Sequence, residues 1–186
     1  MADKKLTRIY QDIDGCWNAE LNAKPWKREG DTDQRGYCRA MVVPVHNDKG
    51  EKVGSSGWGY RMEWNERMVE EYNKLEAELV YATTWRADGP KVGKAMGIKV
   101  PKMRVLHPRS GLTTFPSIEW KFDAIIAEQE LDPSPFIAID DEWDDVSPYR
   151  REALESLGGL VIAPYPNFGL TPDHLEAMRE YIESHS

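Results

Sequence analysis

The 186-residue chain is long enough for one ordinary domain with room for a small insertion, which excludes a multidomain machine. Its 24 Lys and Arg against 32 Asp and Glu give a formal charge of −8, and the pI near 5.1 excludes a coat for nucleic acid held by bulk charge, while a local basic groove stays open. Hydrophobic residues make up 40%, with 7 Trp, 8 Tyr and 4 Phe, so the chain can bury a core beneath a charged, wet surface.

Apolar runs and amphipathic stretches then alternate along the chain. Residues 6–11 predict a strand running into Asp12. From Asn65, a plausible helix cap, Met68, Tyr72, Leu75 and Leu79 recur at helical spacing. Residues 79–82 predict a second strand, closed by Thr83 and Thr84. Residues 88–96 predict a short helix stopped by Gly97, and 98–106 an extended segment. Residues 121–129 are in helical register. The fully apolar Phe136-Ile137-Ala138-Ile139 predicts a strand ending at Asp140 and Asp141, followed by a helix over 148–157 and a strand over 159–163. Thr171 and Pro172 have the order of a cap and first helical residue, and open a final helix to about Glu183. Between the first strand and first helix, residues 16–63 form an insert whose turn-rich centre, 47–51, is flanked by extended segments that suggest a β-hairpin. The whole predicts a single α/β domain over 1–186, a three-layer Rossmann-like core with a mostly parallel sheet and a small hairpin flap at 16–63.

No apolar run approaches the ~18 residues of a membrane span, and the start of the chain is too broken for a signal-peptide core; the expected location is cytoplasmic, with no membrane partner. Cys16 and Cys38 have no zinc or disulfide spacing and are expected as reduced thiols. His46, His107, His174 and His185 lie too far apart for metal-ligand spacing. Asp31 to Gly36 has a faint likeness to a calcium loop, but Arg35 occupies a ligand position and Val42 stands where the bidentate glutamate belongs.

In an open parallel sheet, ligands bind beyond the carboxyl ends of the strands, and there the sequence is polar three times: Asp12-Ile13-Asp14-Gly15, Thr83-Thr84, and the acidic run Asp140 to Asp145. Carboxylates at that density repel one another unless a cation sits among them, and hard oxygen ligands favour Mg²⁺. Each group has a plainer reading: a turn after a strand, a solubilising lysine at Lys121, a solvated acidic loop.

Asp12-Ile13-Asp14-Gly15 resembles motif I of the haloacid dehalogenase (HAD) superfamily of phosphotransferases. Thr83 ending an apolar strand, Lys121 opening a helix, and Asp140-Asp141 with Asp145 resemble motifs II, III and IV in the family's order, over about residues 6–15 and 64–183. Asp12 to Asn18, Ala82 to Trp85 and Gly169 to Pro172 are similar to small HAD domains of actinobacteria and their phages, including those grouped with RNA-repair proteins. The resemblance implies Asp12 as nucleophile and Asp14 as acid/base, with Thr83 and Lys121 on the phosphoryl group. Mg²⁺ would be held by Asp12, the main-chain carbonyl of Asp14, and Asp140 or Asp141, with Asp145 on the metal or beside its ligands; Glu142 and Asp144 are read as solvated. The register within Thr83-Thr84 and within Asp140-Asp141 stays open by one residue. Asp14 favours phosphoester chemistry over dehalogenation.

An insert at 16–63 is expected to cap the site only partly, which suits a nucleotide or nucleic-acid end over a tiny metabolite; Arg35, Arg39, Arg61 and Arg86 could add local positive charge, and Trp85 could stack on a base. The competing expectations are a binding or regulatory protein that keeps the fold without turnover, and phosphotransfer to an acceptor other than water. The oligomeric state is not legible.

Overall fold

Apolar stretches with no polar face belong in strands covered on both sides, and the chain uses them so. A computed structural model describes residues 5–17, 35–38, 43–46, 49, 51–56, 62–108, 119–144 and 148–186. The chain runs β1 (Thr7–Gln11), β2 (Arg35–Cys38), β3 (Val43–His46), β4 (Lys52–Ser56), β5 (Met62–Asn65), α1 (Glu66–Tyr72), β6 (Ala77–Tyr81), α2 (Gly89–Met96), β7 (Lys102–Val105), α3 (Glu119–Leu131), β8 (Phe136–Ile139), α4 (Pro148–Ser156), β9 (Leu160–Ile162) and α5 (Pro172–Ser184). Five strands form a parallel sheet in the order β7-β6-β1-β8-β9.

Period-two alternation sorts the strand residues onto two faces. Ile9, Leu79, Tyr81, Ile137, Ile139 and Ile162 pack with Met68 and Tyr72 of α1, Val92 and Met96 of α2, and Leu175 and Met178 of α5. Tyr10, Val80, Phe136, Ala138 and Val161 pack on the other face with Ala124 and Ile125 of α3 and Leu154 of α4. This is the expected α/β, three-layer Rossmann-like arrangement. At the end of the sheet where β1 begins, the polar groups pair with one another. Arg104 Nε bonds Glu78 at 2.6 Å, Arg104 also bonds Glu128 at 2.8 Å, and the Tyr10 hydroxyl donates to Glu128 at 2.6 Å. Arg8 bonds the Asp132 main chain at 2.8 Å and its carboxylate as well.

Several boundaries differ from the expectation. Asn65 caps α1, its side chain accepting from the Met68 N–H. The helix stops at Tyr72, so Leu75 and Leu79 fall in a turn and in β6. Asn73 ties this helix end to the next one, donating to Gly97 O at 2.9 Å and accepting from the Lys99 N–H at 2.7 Å. The extended segment from 98 narrows to β7, because the Ile98 N–H is spent on Gly93 O, closing α2 around Gly97 in its left-handed conformation (φ 92°). α5 opens as the sequence indicates: Thr171 caps the His174 N–H, and the His174 ring accepts from the Thr171 N–H. Within the insert, β3 and β4 pair antiparallel on either side of 47–51, and β2 pairs antiparallel with β5. The rest of 18–61, with Arg39 and Arg61, lies outside the described residues.

Ile137 is fully buried in β8, so Ile137→Ala should lower the unfolding free energy by about 2–5 kcal/mol. Leu131 is 87% exposed, and Leu131→Ala should change it by less than about 0.5 kcal/mol. Urea unfolding of both variants checks the contrast.

Candidate functional site

The three polar strand ends predicted to carry chemistry sit side by side, because β1 lies between β6 and β8. The ladder continues one step past each strand. The Asp12 N–H donates to Ile139 O at 2.9 Å, the Ala82 N–H to Gln11 O at 2.9 Å, and the Asp140 N–H to Ile162 O at 3.2 Å. Asp12 therefore emerges at the centre of the sheet, with Thr83 following one neighbouring strand and Asp140 the other.

Oxygens of Asp12, Asp140 and Asp141 all lie within 4.8 Å of one another, and the cluster could hold a metal ion. Asp12 and Asp140 are buried, and Asp141 is half-buried. Gly15 makes room for this crowding: it adopts φ +66°, and a Cβ there would collide with the Asp141 carboxylate. The Lys121 ammonium, 1% exposed, is the counter-charge. It reaches in from the first turn of α3, donating to Asp12 Oδ2 and, at 2.6 Å, to Asp140 Oδ2. The other Asp140 oxygen accepts the Glu142 N–H at 3.1 Å, and Asp12 Oδ1 accepts the Ile13 N–H at 2.6 Å.

Three carboxylates facing one ammonium leave an excess of negative charge. Burial, with the charge of Asp12 second, pushes the Asp140 carboxyl well up from its ordinary value. The same two causes push Asp141 up to about 6. Burial alone would lower Lys121, but Asp12 and Asp140 outweigh it and the net shift is upward. Burial and the same three carboxylates also push the neighbouring Cys16 thiol well up, so it stays protonated.

Other groups complete the surroundings. Thr83 is fully buried and Thr84 is exposed. The Thr83 hydroxyl oxygen accepts the Trp85 N–H at 3.3 Å. Asp14 points elsewhere than the three-carboxylate cluster: exposed, it accepts the Trp85 indole N–H at 2.8 Å. Asp145 lies outside the described residues, and Trp143, in the turn Asp141–Asp144, is buried. Gln11 was not anticipated. It is fully buried, donates to Asp12 O at 2.6 Å and accepts from the Tyr72 hydroxyl at 3.4 Å, so it fixes the main chain beneath Asp12. Alternation along β1 puts it on the face of Thr7 and Ile9, and a buried amide there needs partners. Across the site, Gly169 (φ +64°) packs so closely on Cys16 O that no Cβ fits, and the Leu170 N–H donates to that oxygen at 2.7 Å.

Comparison with family models, with curated proteins and with solved structures finds no match to this chain. Among the described residues, no helix is long and apolar enough to cross a membrane.

The raised Asp141 carboxyl sets a pH dependence. The folded state holds that proton more tightly than the unfolded state, whose carboxyl titrates near 3.8. The stabilisation is full below about pH 4 and is lost as pH rises through about 6. With chelator present, the urea-unfolding free energy of the wild type should carry this fall, and Asp141→Asn should flatten it. Identical slopes for the two proteins between pH 4 and 6 would count against the shift.

Proposed function

We propose that the chain is a Mg²⁺-dependent phosphomonoester hydrolase of the HAD type, working through an aspartyl-phosphate on Asp12, in the cytoplasm, on a nucleotide or nucleic-acid-end phosphate. The observation that carries this reading is the buried Asp12 carboxylate at the end of the central strand, bonded to Lys121 and grouped with Asp140 and Asp141. A solvated acidic loop would not bury a lysine among its carboxylates, and a site meant only for packing would have no need of them.

In this reading an oxygen of Asp12 attacks phosphorus as the bond to the leaving oxygen breaks, and Asp14 gives that oxygen a proton. Asp14 then takes a proton from water as the water oxygen attacks the phosphorus of the aspartyl-phosphate, releasing inorganic phosphate and restoring Asp12. Lys121 and the Thr83 hydroxyl bind the phosphoryl oxygens, where negative charge builds up. The fixed main chain under Asp12, held by Gln11, keeps the nucleophile in line.

The donor set fits the metal. Asp12, Asp140 and Asp141 offer three hard oxygens within reach of one ion, and the carboxyls of Asp140 and Asp141 are raised by burial and then by the charge of Asp12, both of which a divalent cation would offset. These residues would hold Mg²⁺ together with the Asp14 main-chain carbonyl, and the ion would neutralise charge between nucleophile and phosphate. The substrate class rests on the short insert at 16–63, too small to enclose the site fully and so suited to a larger phosphoester.

Phosphate release from nucleotides, 5′- and 3′-phosphorylated oligonucleotides and sugar phosphates tests the proposal. Wild type with Mg²⁺ should turn over, EDTA should abolish release, and Asp12→Asn should reduce it by at least about 10³-fold. Silence of the wild type on every substrate, with Mg²⁺ binding intact, would replace this reading with that of a binding or regulatory protein. Label appearing on added alcohol in place of water would make it a phosphotransferase.

A further inference from the structure

The Trp85 indole has a place in the site that neither the metal cluster nor the phosphate-binding groups account for. Its ring is half-buried and packs against the core cluster under β1 and β6. Its main chain is held in a turn on Thr83: the Trp85 N–H bonds the Thr83 hydroxyl at 3.3 Å and the Arg86 N–H bonds Thr83 O at 3.1 Å. The turn is completed by Arg86 at φ +50°, a left-handed conformation that costs a non-glycine residue about 1 kcal/mol or more. A backbone that bears this cost, and a ring fixed by core packing, together aim one donor: the indole N–H, 2.8 Å from Asp14 Oδ2.

We infer that Trp85 is a positioning residue for Asp14, holding its carboxylate on the leaving-group side of Asp12 for proton transfer. The inference rests on the hydrolase reading above. It follows from the geometry of the pair: Asp14 is exposed and followed by Gly15, and the indole N–H of the core-packed Trp85 donates to its Oδ2, which favours one orientation of the carboxylate. The Trp85 bond links Asp14 to the Thr83 turn, so acid/base and phosphate-binding threonine move as a unit. Proton donation matters most when the leaving alkoxide is a poor one, and little when it departs as a stable phenolate. Loss of the indole N–H should therefore act selectively on poor leaving groups.

The test compares kcat/KM on p-nitrophenyl phosphate, whose leaving group needs no proton, with 2-phenylethyl phosphate, whose leaving group does. Trp85→Phe should lose about tenfold or more on the alkyl ester and less than about twofold on the aryl ester, with the loss in kcat and KM little changed. Asp14→Asn should show the same selectivity more strongly, and the double variant should be no worse than Asp14→Asn alone. If Trp85→Phe does not fold, replacement of Trp85 by benzothienylalanine, in which sulfur takes the place of the N–H, gives the same comparison with the ring shape kept. Equal losses on both esters, or additive losses in the double variant, would overturn the positioning role and leave the hydrolase reading standing. A wild type inactive on both esters would overturn the hydrolase reading and this inference with it.

Discussion

Burying a lysine between two aspartates is the constraint around which the molecule is arranged. An ammonium or a carboxylate taken out of water alone is untenable, and removing one member of a buried pair typically costs about 3–5 kcal/mol, because a charge is left without compensation. Lys121 can meet Asp12 and Asp140 only if α3 lies on the sheet face that carries Tyr10 and Phe136, with its first turn at the carboxyl ends of the strands. Asp12 and Asp140 can converge only if β1 and β8 are neighbours in parallel register, as the pairing of Gln11 with Ile139 requires. One ion triad thus specifies a helix position, a strand neighbour and a register together.

Two glycines stand close to these charges. Asp141 comes close to Gly15, and the loop before α5 comes close to Cys16 at Gly169; at both points the backbone is left-handed and no side chain fits. Each glycine removes bulk from a place where two chain segments must touch around the acid cluster. Elsewhere the layers follow ordinary packing, with strand alternation dividing the core into two faces and polar ends tied off by Arg8, Arg104 and Glu128.

Most of the architecture was legible because its signals are local. Phe136 to Ile139 has no polar face, and Thr171 and Pro172 have the order of a cap and first helical residue, so both elements fall where the sequence places them. Helix α1 misleads since Leu75 and Leu79 continue its spacing, while Leu75 lies in the turn that follows the helix and Leu79 pairs with Ile9 of β1. The strand ends were legible as polar positions; their register was not, since burial of Thr83 over Thr84 depends on the partner strands. Burial of Lys121 was equally hidden: α3 buries Lys121 and Gln129 as well as Ala124 and Ile125, so its apolar stripe is blurred. Gln11 and the contact between Asp14 and Trp85, 71 positions apart, have no local signal. Asp145 lies beyond the described residues and adds nothing to either side of the comparison.

The separation of the triad along the chain has a consequence during synthesis. Asp12 precedes Lys121 by 109 positions, and Asp140 comes later still. At ribosomal rates of about 5–20 residues per second, the emerging Asp12 waits several seconds for its counter-ion. Strand β6, one neighbour of β1, is made part-way through that interval, and β8, the other neighbour, only after Lys121. Lys121 on α3 and Asp140 after β8 are only 19 positions apart, so the two groups that enclose Asp12 in the buried triad leave the ribosome almost together.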